Sequence, residues 1–304
     1  MQRLSAIYPS PEARGILAIL CEERLGVKSY THIVEPGYEI DPEALDGLLS
    51  DMDRLAAAEP VQYVLGFADF CGRRFAVSPD VLIPRPETED LVALALDLLH
   101  SRPHSPRVLD LCTGSGCIAW SVALGMRDAR VCAVDISLPA LELAGSQFSS
   151  RDCSVIPCNE PLFVLGDVLS DSVPDEVLGL APYDLVLANP PYVRESERDA
   201  MRRNVLEYEP GLALFVPDRD PLLFYEHIAC WMDRLLAPGG SAILEINEEL
   251  GEETLSLLKT HSCASAPDAQ LRLIRDFRGK TRFLALNVKK KEAVSGDTVS
   301  KCLG

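Results

Sequence analysis

From about residue 105 to about residue 290, short runs of aliphatic and β-branched residues alternate with stretches in which apolar residues recur at helical spacing. Strands that alternate with helices predict an α/β fold with a parallel, doubly wound sheet, because a parallel pair of strands needs a crossover connection. Ligands of such sheets bind at the carboxyl ends of the strands, so we expect the functional residues there. The expected strands are VLDL at 108, VCAVDI at 131, LFVL at 162, LVLAN at 185, PGGSAILEI at 238 and FLALNV at 283. The expected helices run from about Cys117 to Gly125, around Ala140, and from Asp220 to Leu236.

The sequence before this region has a different pattern. Apolar residues recur at helical spacing from Gly15 to about Leu65, which predicts a small N-terminal helical domain within residues 1–75. Runs rich in Phe and Val then follow, split by Cys71-Gly72 and closed by prolines, so we expect a β-hairpin and a rigid linker to about residue 85. Residues 86–290 would form the larger domain, and residues 291–304 a flexible tail.

Charge and cysteine usage limit the classes of partner. The formal net charge of −17 argues against direct nucleic-acid binding, which draws most of its affinity from Lys and Arg. The ten cysteines form no C-x-x-C pair and no zinc-site spacing, so we expect reduced thiols and no metal. We find neither a signal-peptide core nor an apolar run of about 18 residues, and therefore expect a cytoplasmic protein with no membrane partner.

A glycine-rich loop follows the first strand of the larger domain, in the segment VLDLCTGSGCIAW. Gly114 and Gly116 allow a sharp turn and a close approach of backbone to ligand, and the helix that follows offers unpaired N–H groups. A dinucleotide-binding fingerprint would require a third glycine that TGSGCIA lacks, which weakens the case for NAD.

Two acidic residues follow the next strands. Asp135 lies at the expected distance downstream for a carboxylate that binds ribose hydroxyls, although it could instead cap the next helix. Asp167 could accept a hydrogen bond from an adenine amino group, with Val168 offering an adjacent backbone N–H or an apolar contact. The alternative for Asp167 is an ordinary Gly-Asp turn.

The fourth strand ends in Asn189, Pro190, Pro191 and Tyr192. An Asn before Pro is pushed out of the α region and prolines fix φ, so this segment is stiff. The side-chain oxygen of Asn189 and the carbonyl of Pro190 could accept both protons of a planar NH2 group, while Tyr192 packs on its face. This combination favours a site for an amide or an exocyclic amine, and the alternative is an ordinary proline turn.

Together these residues resemble class I S-adenosylmethionine-dependent methyltransferases. In that family an LD-x-x-TGSG loop holds the cofactor, an acidic strand end holds its ribose, and N-P-P-Y holds the target nitrogen. The resemblance covers roughly residues 105 to 290 and implies a Rossmann-like sheet and S-adenosylmethionine as cofactor, with S-adenosylhomocysteine as product. Cys112 stands where the family usually has glycine. The cofactor residues implied are Cys112, Thr113, Gly114, Ser115, Gly116, Asp135, Asp167, Val168 and Asn189.

A narrower resemblance is to the release-factor glutamine methyltransferases, the PrmC or HemK type. It rests on VLIPRPETEDLV at 81, NPPYV at 189, EYEPGLAL at 207 and RDFRGKTRFL at 275. It implies methylation of the side-chain nitrogen (N5) of the glutamine in the Gly-Gly-Gln motif of class 1 peptide chain release factors, with the helical domain recognising the substrate. Asn189, Pro190 and Tyr192 would be catalytic, and Pro191 would complete the substrate site.

The sequence leaves several alternatives open. N-P-P-Y also serves adenine N6-methyltransferases and ribosomal-protein glutamine methyltransferases, and a non-catalytic adaptor could retain the fold. Arg85 and the segment from Glu87 to Glu89 could form an ion-paired hinge or contact ligand directly. For Glu245 and Arg282 the sequence favours a structural role.

Overall fold

The computed structural model of the chain describes residues 3–28, 30–101, 105–148, 159–265 and 269–287. The tail expected at residues 291–304 lies outside these ranges. No helix in the described ranges combines the length and the apolar character of a membrane-spanning segment.

The N-terminal part is a small helical unit, as the sequence predicts. The first long helix begins after Pro9 and ends at Gly26, whose φ of 65° is the left-handed conformation that commonly terminates a helix. Asp41 caps another helix by accepting a hydrogen bond from the backbone N–H of Glu43. Their apolar faces meet around Leu4, Leu20 and Leu55, which are fully buried. The helices are α1 (Ser10–Leu25), α2 (Thr31–Val34), α3 (Pro42–Ala56) and α4 (Val61–Leu65), preceded by a short 3-10 turn at Leu4–Ala6.

A β-hairpin with a two-residue turn links this unit to the rest of the chain. Its strands are β1 (Phe67–Phe70) and β2 (Arg73–Ala76), and they pair in antiparallel register. Cys71 and Gly72 both have positive φ, 48° and 70°, which is the backbone of a hairpin turn whose twist matches the strands. The predicted hairpin is confirmed.

The larger part contains a seven-stranded sheet with helices on both faces. Its strand order is β10-β11-β9-β6-β3-β4-β5. The strands are β3 (Arg107–Leu111), β4 (Arg130–Asp135), β5 (Leu162–Leu165), β6 (Tyr183–Ala188), β9 (Leu236–Glu245), β10 (Leu271–Arg275) and β11 (Thr281–Leu286). A separate small pair is formed by β7 (Val193–Arg194) and β8 (Phe215–Val216). The helices are α5 (Pro86–His100), α6 (Cys117–Gly125), α7 (Leu138–Ser146), α8 (Asp175–Leu180), α9 (Arg203–Tyr208), α10 (Leu223–Leu235) and α11 (Gly251–Leu258). Further 3-10 turns lie at Glu195–Ala200, Gly211–Ala213, Glu248–Leu250 and Ser262–Ala264.

The sheet is parallel, as predicted, except at one edge. β3, β4, β5, β6 and β9 are parallel, but β11 runs antiparallel to both β9 and β10. The reason is the short connection between β10 and β11, which turns back through Asp276 and Gly279 and contains no crossover helix. Two strands joined by such a turn can pair only in the antiparallel direction.

The order of the parallel strands reverses next to β3. The chain adds β4 and β5 on one side of β3, and β6 and β9 on the other side. In α/β sheets a crevice opens at this switch point, outside the carboxyl ends of the strands. Cys112, which follows β3, and Asn189, which follows β6, therefore face the same crevice from neighbouring strands.

Candidate active site

A cavity of about 300 Å³ lies at the carboxyl ends of the parallel strands. This volume is at the lower end of the range of small-molecule sites. The strand ends that line it supply Cys112, Thr113, Gly114, Ser115, Val134, Asp135, Ile136, Ser137, Gly166, Asp167, Val168, Leu169, Asn189 and Pro191. The linker and later segments add Pro79, Asp80, Val81, Leu82, Ile83, Pro84, Arg85, Thr88, Cys117, Ile118, Ala140, Pro210, Leu212, Ala213 and Phe224.

The loop after β3 is wound tightly. Cys112, Gly114 and Gly116 have φ of 60°, 55° and 76°, so three residues of this turn adopt the left-handed conformation. Cys112 is thus a non-glycine residue in a conformation that favours glycine. A Cβ on Gly116 would lie 2.9 Å from the Cβ of Ala144, whereas a Cβ on Gly114 would meet no atom within 4 Å. Gly116 therefore permits the packing of the loop on α7, and Gly114 keeps the cavity wall open.

Asp135 connects this loop to the end of β4. Its Oδ2 accepts a hydrogen bond of 2.8 Å from the backbone N–H of Gly114, and its Oδ1 accepts one of 2.9 Å from Ser137. Helix α7 is capped by Ser137, whose hydroxyl accepts from Ala140, so capping is not the main role of Asp135. Burial raises the pKa of Asp135, and the backbone hydrogen bonds oppose that rise.

Asp167 both makes a turn and lines the cavity. Its Oδ1 accepts a hydrogen bond of 2.8 Å from the backbone N–H of Leu169, as the turn alternative expects. Asp167 and the buried Val168 nevertheless form part of the cavity wall. The turn thus holds the carboxylate of Asp167 at the cavity rather than away from it.

A buried carboxylate lies under the glycine-rich loop. Asp110, in β3, accepts a hydrogen bond of 2.6 Å from the hydroxyl of Thr113 through Oδ2. Burial raises the pKa of Asp110 from an ordinary 3.8 to about 7. Burial also raises the pKa of the neighbouring Cys112 thiol, so this thiol is not activated as a nucleophile.

The segment after β6 places Asn189 at the cavity and Tyr192 in contact with Glu245. The Asn189 Nδ2 donates to the hydroxyl of Thr88 at 3.3 Å, and the Tyr192 hydroxyl donates to Glu245 at 3.1 Å. Pro191 lines the cavity beside Asn189. Among the residues that the structure describes, Gly116, Pro190 and Tyr192 are the sequence-predicted site residues that do not line it.

The linker residues are held mainly by carboxylates. Glu209, which is buried, accepts a hydrogen bond of 2.7 Å from Arg85 and one of 3.1 Å from the backbone N–H of Ile83. Glu87 forms an ion pair of 2.9 Å with Arg278. The ion-paired arrangement is thus present, although Arg85 and Thr88 also line the cavity.

Sequence reasoning missed the wall formed by the linker. Residues 79–84 line the cavity, whereas the sequence indicated ligand contact only for Arg85 and for the Glu87–Glu89 segment, which contains Thr88. Leu212 and Ala213 also contribute, from the segment EYEPGLAL. Both segments belong to the motifs that carry the family resemblance, so the sequence did mark them. No residue type in either segment indicates a particular ligand.

Sequence comparisons agree with this layout. Residues 1–66 match the family model described as the PrmC N-terminal domain, and residues 91–208 match the methyltransferase small domain. The boundary between the two matches spans the hairpin and the linker. The two matches correspond to the helical unit and to the part of the sheet that holds the cavity.

Three relatives of similar length share the same name. The release factor glutamine methyltransferase of Bacteroides thetaiotaomicron is 40% identical over 94% of this chain and 96% of its own length. Proteins of the same name from Flavobacterium psychrophilum and Nitratidesulfovibrio vulgaris are 33% and 36% identical, over 95% and 93% of this chain and 96% and 90% of their own lengths. Because these matches include both the helical unit and the sheet with its cavity, the chain belongs to the release factor glutamine methyltransferase family.

Proposed function

We propose that this protein transfers a methyl group from S-adenosylmethionine to the side-chain amide nitrogen (N5) of the Gly-Gly-Gln glutamine of class 1 peptide chain release factors. One observation carries the proposal: Asn189 reaches the same cavity as the glycine-rich loop and Asp135. An acceptor for a planar NH2 group thus adjoins a site suited to the cofactor. Membership of the family supports the assignment of the substrate.

The cavity residues fit S-adenosylmethionine chemically. Each Asp135 oxygen already accepts one backbone N–H, and a carboxylate has about four acceptor positions, so capacity remains for ribose hydroxyls. The open space beside Gly114 lets a ligand approach the backbone closely. Ile136, Val168 and Leu169 offer apolar surface to an adenine ring, and Asp167 offers an acceptor for its amino group. We assign the cofactor to these residues together with Cys112, Thr113, Ser115 and Gly116.

On the substrate side, we assign the glutamine amide to the segment from Asn189 to Tyr192. The Asn189 side-chain oxygen and the Pro190 carbonyl would accept the two N–H bonds of the amide, and Tyr192 would pack against its plane. Pro190 and Pro191 fix the backbone, so the two acceptors keep their positions before substrate arrives. Such preorganisation is how acceptors favour the positive charge that develops on a nitrogen as it is alkylated.

The chemistry requires positioning more than a strong base. The cofactor supplies an electrophilic methyl group when it is bound. An amide nitrogen is a poor nucleophile because its lone pair is delocalised, so holding both N–H bonds and directing the nitrogen contributes most of the rate. Once the nitrogen carries the methyl group, its proton is acidic and leaves to solvent or to a nearby acceptor.

The proposed partner matches the charge of the protein. A net charge of −17 favours association with a basic, RNA-binding protein and disfavours direct contact with nucleic acid. Translation factors act in the cytoplasm, which is where we place the protein. We also propose that the helical unit contacts the release factor, and steep weakening of binding by salt would be the expected signature.

The test is methyl transfer from labelled S-adenosylmethionine to four acceptors in parallel: a release factor, the same factor with its Gly-Gly-Gln glutamine changed to alanine, a ribosomal-protein fraction and adenine-containing DNA and RNA. We expect label on the intact release factor alone. Label on ribosomal protein or on nucleic acid instead would overturn the substrate assignment while keeping methyl transfer. An Asn189→Ala variant that retained full cellular function would indicate a non-catalytic adaptor.

A further inference from the structure

Asn189 is the last member of a hydrogen-bonded chain that begins at a buried carboxylate. The chain runs from Glu245, at the end of β9, through Thr88, in the first turn of α5, to Asn189. The Thr88 hydroxyl donates to the Oε2 of Glu245 at 2.7 Å and accepts from the Nδ2 of Asn189 at 3.3 Å. Thr88 and Glu245 are 2% and 1% exposed, so water does not compete for these hydrogen bonds.

The direction of this chain follows from its first member. The Thr88 hydroxyl has a single proton, and it donates that proton to Glu245. Thr88 then has only lone pairs to offer to Asn189, and it must receive the NH2 group of the Asn189 amide rather than its oxygen. The Oδ1 of Asn189 is left facing away from Thr88.

Glu245 also holds the second predicted substrate residue. Its Oε1 accepts a hydrogen bond of 3.1 Å from the Tyr192 hydroxyl. Burial raises the pKa of Glu245, and the hydrogen bonds from Thr88 and Tyr192 and the charge of Arg282 partly oppose that rise. One carboxylate thus connects two residues of the Asn189–Tyr192 segment.

We infer that Thr88 and Glu245 are positioning residues that fix the Asn189 amide with its oxygen toward the glutamine. The inference rests on the proposed function for the identity of that glutamine. A free asparagine amide could present either its oxygen or its NH2 group, and the NH2 group would oppose the two donors of the substrate amide. The chain therefore selects the orientation that can bind a glutamine NH2.

The experiment compares Thr88→Val, which keeps the volume but removes the hydroxyl, with Thr88→Ser, which keeps the hydroxyl. Glu245→Gln is the second variant, because its amide can donate to Thr88 and so permits the reversed orientation of Asn189. Thr254→Val is the matched control: Thr254 is a fully buried threonine whose hydroxyl donates at 2.7 Å to the Leu250 carbonyl. Thermal unfolding of each variant separates loss of stability from loss of function.

For Thr88→Val and Glu245→Gln we expect kcat on the release factor to fall by about 10- to 100-fold, with the Kd of S-adenosylmethionine changed by less than about twofold. Thr88→Ser and Thr254→Val should stay within about threefold of the unmodified protein, because the hydroxyl chain to Asn189 is intact in both. Equal kcat for folded Thr88→Val and Thr88→Ser would overturn the inference.

A second readout does not depend on activity. In protein labelled with ¹⁵N-asparagine, the side-chain NH2 signals of Asn189 can be identified by their loss in Asn189→Ala. We expect these signals to shift, and their protons to exchange faster with solvent, in Thr88→Val but not in Thr88→Ser. Unchanged signals in Thr88→Val would refute the hydrogen-bonded chain. If the unmodified protein methylates no release factor, the proposed function fails, and the NMR comparison still decides the orientation of Asn189.

Discussion

The carboxylate of Asp135 accepts a hydrogen bond of 2.8 Å from the backbone N–H of Gly114, across two neighbouring strand ends. The same carboxylate accepts from Ser137 at the start of α7. The shape of the glycine-rich loop therefore depends on a residue 21 positions later in the chain. One side chain both completes the cavity and offers acceptors to a ligand.

Replacing Asp135 by alanine should weaken S-adenosylmethionine binding. The variant loses the hydrogen bonds that shape the loop and the acceptors proposed for the ribose. Because one hydrogen bond to a charged group contributes about 1.5–3 kcal/mol, we expect a rise in Kd of about 10- to 100-fold. Isothermal titration calorimetry with the cofactor measures this Kd. The control is Asp175→Ala, which removes an exposed carboxylate on α8. Equal affinities for the two variants would contradict the ribose assignment.

The two glycines of the loop should respond differently to alanine. Gly116→Ala combines a positive φ with a Cβ 2.9 Å from Ala144, and we expect a loss of about 2–4 kcal/mol in the free energy of unfolding. Gly114→Ala meets no atom within 4 Å and should lose only about 1 kcal/mol, from its φ of 55°. Urea unfolding distinguishes them, with Gly145→Ala in α7, which has open space and no positive φ, as the control. A Gly114→Ala variant as unstable as Gly116→Ala would mean that the packing against Ala144 is not what requires glycine.

The sequence predicted those features that depend on neighbouring residues. Cys71-Gly72 marked the hairpin because it splits two short runs rich in Phe and Val, and the run from Cys117 to Gly125 is a helix with the predicted bounds. The strand ends at Asp135 and Asn189 were found because alternation of strands and helices places such ends at one edge of the sheet.

Features that depend on contacts between distant segments were not predicted. Thr88 and Asn189 are 101 residues apart, and no local pattern reveals their hydrogen bond. The linker residues 79–84 line the cavity, and Ile83 and Arg85 are held there by hydrogen bonds to Glu209. Glu209 is distant in the sequence, so no local pattern predicts this wall.

Asn189→Ala should remove nearly all methyl transfer while leaving cofactor binding largely intact. The variant removes the side-chain acceptor for the glutamine amide, and loss of one preorganised polar group commonly lowers kcat by about 10²- to 10³-fold. The Kd of S-adenosylmethionine should rise only modestly, by less than about fivefold, because Asp135 and the loop remain. Single-turnover assays and calorimetry on the same preparation test both parts. Unchanged turnover would refute the catalytic assignment of Asn189.

Asp110 should make stability depend on pH. Its folded pKa of about 7 lies above the ordinary value of 3.8, so between these values the folded state binds more protons than the unfolded state. The contribution of Asp110 to the free energy of unfolding is therefore full below about pH 4 and is lost as pH rises toward 7, by up to about 1.4 kcal/mol per pH unit.

The test is the difference between Asp110→Asn and the unmodified protein, because other groups cancel in that difference. We expect the stability of Asp110→Asn relative to the unmodified protein to increase with pH across this window and to level off above it. Urea unfolding at several pH values measures the difference. A difference that does not vary with pH would show that Asp110 has an ordinary pKa in the folded protein.

We propose that the cavity and Asn189 together methylate a release-factor glutamine. The most direct measurement is mass spectrometry of a purified release factor after incubation with this protein and S-adenosylmethionine, with Asn189→Ala in parallel. We expect a gain of one methyl group on the glutamine of the Gly-Gly-Gln peptide, and at most about one hundredth of that initial rate with the variant. A release factor left unmodified by a protein that binds the cofactor would contradict the proposal.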